Sequence, residues 1–181
     1  MAQMQFDYRT FESVEFKVVK EDWQRYQLSD GSVLKARLIL LNVARSTSQF
    51  NQLGEPHYVW NCLSPIPFAL ISYPDAFRAE PTTTPITQAT IAQSIAENVD
   101  FDPVGKQDEW NVYNLIDGTV LRLRLNIPSI QRTKLHGPMG EPLYNMFSGH
   151  PDARLRVAPN LVKKGAPVTP SIGDTKAKLY T

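Results

Sequence analysis

Basic side chains at alternate positions are the residues of this sequence whose type and spacing could support chemistry. Lys35 and Arg37 form one such pair. Arg122 and Arg124 form a second pair later in the chain. Because successive side chains of a β-strand point to opposite faces, each pair would project from one face of a strand. Such a face can contact the phosphates of a nucleic acid. Alternating charge is also typical of a solvated strand that resists edge pairing, and we favour this second interpretation.

Aromatic residues accompany both basic pairs. If the pairs contact a nucleic acid, Tyr26 or Tyr113 would stack on its bases. Trp23 and Trp110 come just before the same two stretches. A large aromatic ring that recurs at a fixed place is more often a buried anchor than a ligand platform. We therefore predict that both tryptophans lie in the core.

No pattern in the sequence indicates an active site, a cofactor or a metal centre. Glu55 and Glu141 occupy the same position in two Gly-Glu-Pro triplets, which favours a turn over a catalytic carboxylate pair. Cys62 is the single cysteine and cannot form an internal disulfide or a thiolate metal cage. The three histidines have no metal-ligand spacing: His57, His136 and His150. We predict a protein that is not an enzyme and has no cofactor.

The two basic pairs belong to a longer internal repeat. The pattern W-x-x-Y-x-L-x-D-G-x-V-L-[KR]-x-R-L begins at Trp23 and again at Trp110, an offset of 87 residues. The sequence Gly-Glu-Pro-x-Tyr then recurs at 54–58 and 140–144. Two matching clusters at nearly the same offset indicate a duplication rather than a coincidence.

Two arginines, Arg45 and Arg132, also occupy matching positions. They could contact phosphates in the same way as the basic pairs. Alternatively, each could form an ion pair with the glutamate of its own copy, Glu55 or Glu141. That pairing would explain why both members recur.

Each copy predicts a β-hairpin. Asp30-Gly31 and Asp117-Gly118 lie between alternating apolar residues, and an Asp-Gly pair in that setting is a strong hairpin signal. Glycine supplies the positive φ that such turns require. Alternate positions after each turn form an apolar row that we expect in the core. The rows are Leu34, Ala36, Leu38 and Leu40 in the first copy and Leu121, Leu123, Leu125 and Ile127 in the second.

The pattern predicts a mainly β protein built from two tandem small five-stranded barrel-like domains. An open sheet of this size buries too little surface to be stable, so a strongly bent meander is favoured. The predicted units are a first repeat at 1–74, a Pro/Thr linker with a short helix at 75–98, a second repeat at 99–159 and a flexible, weakly basic tail at 160–181. The helix is expected over 87–98, because Ile91 and Ile95 have i, i+4 spacing and Thr87 or Thr90 can cap it.

The pattern L-x-D-G-x-x-L-x-x-x-L at 28–38 and 115–125 resembles the first half of the Sm-like motif. Members of that family are small, bent five-stranded barrels that assemble into rings and often bind RNA. The resemblance therefore implies such a barrel, a ring and RNA as a ligand. The small glycine of the family's second strand is Ala36 in one copy and Leu123 in the other. A generic SH3-like barrel explains the same pattern.

Composition limits the classes of function. The chain has 181 residues and a net charge of +1, so it has no overall field that would draw it to a polyanion, and binding must come from a local patch. Its longest apolar run, at 38–41, is too short to cross a bilayer, and we expect a cytoplasmic protein without a membrane partner. We expect a homo-oligomeric interaction or assembly module that could also take protein partners, with three chains forming a ring. The alternative is a protein that binds RNA or single-stranded nucleic acid, and an enzyme of unknown class is the least favoured.

Overall fold

The computed structural model describes residues 8–105, 110–147, 149–163 and 165. Within these ranges the chain is mainly β, as predicted. The strands of the first half are β1 (Phe11–Ser13), β2 (Phe16–Lys20), β3 (Gln24–Leu28), β4 (Val33–Ala36), β5 (Leu40–Phe50), β6 (Pro56–Cys62) and β7 (Phe68–Ser72). The second half contains helix α1 (Gln88–Gln93) and strands β8 (Ile95–Val99), β9 (Phe101–Pro103), β10 (Asn111–Leu115), β11 (Val120–Arg124), β12 (Ser129–His136), β13 (Pro142–Phe147) and β14 (Asp152–Arg156). Short 3-10 helices lie at Tyr8–Thr10, Asp75–Phe77 and Pro159–Leu161.

In the part of the chain that the structure describes, the strands form four antiparallel sheets, none of which closes into a barrel. Sheet 1 has the order β1-β5-β6, and sheet 2 has the corresponding order β8-β12-β13. Sheet 3 has the order β7-β4-β3-β9, and sheet 4 has the order β14-β11-β10-β2. The strand order thus corresponds between sheets 1 and 2 and again between sheets 3 and 4.

The two halves of the chain exchange one strand each. Strand β9 of the second half pairs with β3, with Phe101 opposite Leu28. Strand β2 of the first half pairs with β10, with Phe16 opposite Leu115. Sheets 3 and 4 therefore each contain backbone from both halves, and hydrogen bonds cross between the segments predicted as separate repeats.

Both Asp-Gly pairs lie in hairpin turns. The Gly31 N–H donates to the Leu28 carbonyl at 3.0 Å, and the Gly118 N–H donates to the Leu115 carbonyl at 3.0 Å. The two glycines have φ values of 89° and 88°, whereas no described residue other than glycine has a positive φ. Each turn is therefore a three-residue loop that ends in a left-handed glycine rather than a two-residue Asp-Gly turn.

The core is continuous across the two halves. The apolar rows predicted after the hairpin turns are buried, except that Ile127 is half-buried at its edge. They pack in a single cluster with Tyr26 and Leu28 of the first half and Tyr113 and Leu115 of the second. Burial of apolar side chains is the dominant favourable term in folding, so neither half is expected to be stable without the other.

The helix is shorter than predicted. Thr87 caps α1, and its Oγ1 accepts from the Thr90 N–H at 3.2 Å. The helix ends at Gln93, and Ile95, predicted on its apolar stripe, begins strand β8. Pairing of β8 with β12 gives residues 95–99 their backbone hydrogen bonds. A short helix is only marginally stable, so this pairing is preferred over extending α1. Within the described ranges, none of the helices has the length and apolar character that crossing a bilayer requires.

The segment that follows the strands of each half forms backbone hydrogen bonds with the other half. The Ala79 N–H donates to the Gly140 carbonyl at 3.2 Å, and the Lys163 N–H donates to the Gly54 carbonyl at 2.9 Å. The part of the predicted linker before 83 is therefore hydrogen-bonded to the second half. The predicted flexible tail falls mostly on 166–181, which lie outside the described residues.

Candidate nucleic-acid interface

The basic pair of the first half is engaged within the protein. The Arg37 guanidinium lies 3.0 Å from the carboxylate of Glu21, whose side chain is only 7% exposed. Glu21 also accepts from the Tyr113 hydroxyl at 2.8 Å. The Lys35 ammonium lies 4.7 Å from the centre of the Trp23 ring. Arg37 therefore serves chiefly to hold a buried carboxylate, and Lys35 covers an aromatic ring.

The basic pair of the second half lies on the outer side of sheet 4. Leu121 and Leu123 of β11 are fully buried, so the alternate residues Arg122 and Arg124 face outward. Arg122 is exposed and lies directly opposite Arg154 of β14. Two like charges at directly opposite positions of a sheet repel each other.

Edge protection does not explain these cations. Strand β11 lies between β14 and β10, and β4, which carries Lys35, lies between β7 and β3. Both are interior strands, so their charges cannot serve to block pairing at an edge. The interpretation favoured from the sequence, that these charges resist pairing at a sheet edge, is therefore wrong.

Neighbouring strands add four more cations to the same side of sheet 4. Arg156 lies opposite Val120, and the register of β2 with β10 places Lys20 opposite Val112 and Lys17 opposite Asn114. We call this outer side the basic face. It comprises Lys17, Lys20, Arg122, Arg124, Arg154 and Arg156.

The charge of the molecule is concentrated on this face. The strands of sheet 4 carry six Lys and Arg against one carboxylate, Asp152, a net charge of +5. The corresponding strands of sheet 3 carry Arg25 and Lys35 against Asp102, a net charge of +1. Because the whole chain has a net charge of +1, all residues outside the strands of sheet 4 together carry a net charge of −4. A nearly neutral protein thus carries a strong local positive patch.

An aromatic ring borders the basic face. The guanidinium carbons of Arg154 and Arg124 lie 4.4 Å and 5.0 Å from the centre of the Trp110 ring. Trp23 is 40% exposed, and neither tryptophan belongs to the core cluster. The prediction that both tryptophans lie in the core is therefore wrong, because each precedes its strand and is covered by cations instead.

The tyrosines proposed as stacking platforms are the buried aromatic residues. Tyr26 is 6% exposed and Tyr113 is fully buried. Burial raises the pKa of Tyr26 to about 12 and raises that of Tyr113 further. Their rings are therefore unavailable for stacking with a ligand, whereas Trp23 is exposed and Trp110 is half-buried.

A groove of about 400 Å³ lies beside the basic face. Trp23, Arg25 and Phe101 line one part of it, and Arg124 and Asp152 line another. An ion pair of 2.6 Å joins Arg124 to Asp152. Because Arg124 belongs to the basic face and also lines the groove, the two share a residue.

The repeated arginines have a structural role. Arg45 donates to Asp117 at 2.9 Å, and the Tyr58 hydroxyl donates to the same carboxylate oxygen at 2.7 Å. The Asp117 side chain is 10% exposed. Burial, as the main cause, raises the pKa of Tyr58 to about 12. This arrangement holds the hairpin tip of the second half against the first half.

A related arrangement recurs with the halves reversed, but here the arginine, Arg132, forms its hydrogen bonds with Glu97, at 2.9 Å, and reaches Asp30 only as a longer ion pair. Arg132 lies 3.5 Å from Asp30, and the Tyr144 hydroxyl donates to Asp30 at 2.7 Å. Burial raises the pKa of Tyr144. We call the two clusters the reciprocal clasps: Arg45, Tyr58 and Asp117, and Arg132, Tyr144 and Asp30. The alternative in which each arginine pairs with the glutamate of its own copy is not what the structure shows, because Arg45 pairs with Asp117 and Arg132 with Glu97 and Asp30.

The glutamates of the Gly-Glu-Pro triplets stabilise their own turns. Glu55 accepts from the Asn51 side-chain amide at 2.8 Å. Glu141 accepts from the Met139 N–H at 2.9 Å. Among the described residues, no three His, Cys, Asp or Glu side chains are grouped so that they could hold a metal ion.

Sequence reasoning missed four members of the basic face. Arg154 and Arg156 have the same alternate spacing as Arg122 and Arg124, so that signal was present. Lys17 and Lys20 are three residues apart, and a β-bulge in the pairing of β2 with β10 brings both to one side. A bulge breaks the period of two, so spacing alone does not reveal this pair.

Comparisons with known proteins give no relative: no family model, no curated protein and no solved structure matches this chain.

Proposed function

We propose that this protein is a non-enzymatic binding protein whose ligand is a single-stranded nucleic acid held on the basic face. The observation that carries the proposal is the position of Arg122, exposed on an interior strand and directly opposite Arg154. This arrangement costs stability in the free protein and is relieved by an anion that bridges the two guanidiniums.

The width of sheet 4 favours a single strand over a duplex. Three spacings of about 4.8 Å separate the outer strands, which makes the sheet about 14 Å wide before side chains are added. The major groove of B-DNA is about 12 Å wide and admits a helix or a two-stranded ribbon. A four-stranded face is therefore too broad to enter it, whereas an extended strand can lie across it with its phosphates on the arginines.

Trp110 adds a second kind of contact to the charges. Its ring lies against the guanidiniums of Arg124 and Arg154 at the end of the face. Bases stack on aromatic rings and on guanidinium planes without regard to sequence. The proposed ligand is therefore a single strand of RNA or DNA that is bound with little sequence preference.

Fluorescence anisotropy with labelled oligo(U) and oligo(dT) tests this proposal. The double variant R122E/R154E is expected to lower affinity by at least about tenfold, because it reverses two phosphate contacts. The control for charge reversal itself is K134E, which reverses one charge at an exposed site on sheet 2 and is expected to leave affinity nearly unchanged. Equal affinity of the double variant and the wild type would remove the proposal.

We also propose that the chain is a duplicated small β-barrel unit of Sm-like or SH3-like type whose halves exchange one strand. The corresponding strand orders and the reciprocal clasps support this proposal. An experimental structure in which 23–58 and 110–144 do not superpose would contradict it.

A second candidate function is homo-oligomeric assembly through strand β7. This edge strand of sheet 3 carries no charge, and Phe68 and Ile71 are 38% and 45% exposed. Its counterpart β14 carries Asp152, Arg154 and Arg156. An uncharged, apolar edge is a template for pairing with another chain.

Sedimentation equilibrium tests this assembly. I71K places a charge on the edge and is expected to give monomers, while M139K places the same charge on an exposed turn and is expected to leave the assembly intact. A wild-type protein that is monomeric at all concentrations would contradict the assembly and the three-chain ring.

A further inference from the structure

The two tryptophans form a matched pair of cation-covered aromatic sites. Trp23 lies under the ammonium of Lys35, and Trp110 lies under the guanidiniums of Arg124 and Arg154. Trp23 and Trp110 start the same sequence pattern in each half. The base stacking proposed for Trp110 therefore has a counterpart at Trp23. Trp23 lies outside the basic face, next to strand β3 of sheet 3.

The groove beside the basic face connects these two sites. Trp23 and Arg25 line it from the first half, and Arg124 and Asp152 line it from the second. Arg124 also contacts the Trp110 ring. A strand that lies on the basic face thus reaches the groove at Arg124 without leaving the protein surface.

The groove combines the contacts that a single base requires. Trp23 and Phe101 supply aromatic surface. Gln24, Asn126 and Asp152 supply amide and carboxylate groups that can meet the edge of a base. Its volume of about 400 Å³ falls within the usual range for small-molecule sites.

We infer that the groove receives one unstacked base of the bound strand, with Trp23 as its stacking platform and Arg25 beside its phosphate. This inference rests on the proposed function of the basic face. It extends the binding path from sheet 4 to sheet 3. Trp23 and Arg25 then position one nucleotide of the ligand in the groove. The ligand chemistry is a single-stranded phosphodiester chain with its bases present.

The first experiment compares W23A and W23F in binding to labelled oligo(dT) and oligo(U) of 16 nucleotides, with folding of each variant checked by its thermal unfolding. W23A is expected to weaken binding about 5- to 100-fold, as loss of one base stack does. W23F keeps an aromatic ring and is expected to restore most of the affinity. A merely structural role for Trp23 would lower the thermal stability of W23A in parallel with its affinity.

A strand without bases separates stacking from charge. An abasic 16-mer has the same phosphates, so it is expected to bind wild type and W23A equally and to lose affinity in R122E/R154E. If oligo(dT) binds and R122E/R154E weakens it while W23A does not, the groove inference is wrong and the proposed function stands. If no oligonucleotide binds the wild type, both are wrong.

Discussion

Arg45 reaches from the first half of the chain to the second and donates from Nη1 to Oδ2 of Asp117, 2.9 Å away. Arg132 reaches in the opposite direction to Asp30. Arg45 thereby fixes the hairpin tip of the second half, whereas the tip of the first half is held mainly by the Tyr144 hydroxyl, which donates to Asp30 at 2.7 Å. The repetition of Asp, Arg and Tyr in the sequence is explained by this reciprocal attachment rather than by a ligand.

Removing the carboxylate of a clasp is expected to destabilise the whole molecule. D117A leaves Arg45 without its buried partner, and loss of one member of a buried ion pair costs about 3 kcal/mol or more in the free energy of unfolding. Urea denaturation measures this change. The matched control is E12A, which removes the other carboxylate near Arg45, an exposed group at 4.0 Å whose loss is expected to cost less than about 1 kcal/mol. Equal effects of the two variants would contradict the role of the clasp.

The tyrosine of the clasp makes stability depend on alkaline pH. The pKa of Tyr58 in the folded protein is about 12, above its ordinary value of 10, so the folded state favours the protonated hydroxyl. Its contribution is fully present below pH 10 and is lost as the pH rises from 10 to 12. The urea midpoint of the wild type is therefore expected to fall over this interval. Y58F should reduce the fall, and an identical pH profile for Y58F would show that this hydroxyl does not titrate in this way.

The shared core predicts a single unfolding transition. Leu34 and Leu121 are both fully buried, lie in different halves and belong to one cluster. L34A and L121A are each expected to cost about 2–5 kcal/mol and to shift one common transition in differential scanning calorimetry. Two separate transitions, with each variant shifting only one of them, would show that the halves are independent domains.

Local features of the fold were predictable because their causes are local. The Asp-Gly turns follow from residues 30–31 and 117–118 and from the alternating residues around them, and the apolar rows follow from the same period. The exchange of β2 and β9 was not predictable, because the period of a five- or three-residue strand does not specify its partner. The clasp between Arg45 and Asp117 joins residues 72 positions apart, and only the exchanged topology brings them together.

The candidate site was predictable in part for a similar reason. Arg122 and Arg124 were found from their spacing, and Arg154 and Arg156 share that spacing. Arg37 and Arg124 each form an ion pair, with Glu21 and Asp152 respectively. The two basic pairs therefore differ at the other member, because Lys35 covers the Trp23 ring while Arg122 is exposed. The sequence pattern therefore makes the two basic pairs look equivalent, although they have different surroundings in the folded protein.

The salt dependence of oligo(dT) binding tests the central claim most directly. Six phosphate contacts on the basic face, with the phosphates displacing Asp22 from Lys20 and Asp152 from Arg124, predict a slope of about −4 in a plot of log affinity against log salt concentration. R122A/R154A should reduce its magnitude by about 1.4. Anisotropy titrations between 50 and 300 mM salt give both slopes. A wild-type slope near zero, or a slope that the double variant leaves unchanged, would contradict the assignment of the basic face as a site for single-stranded nucleic acid.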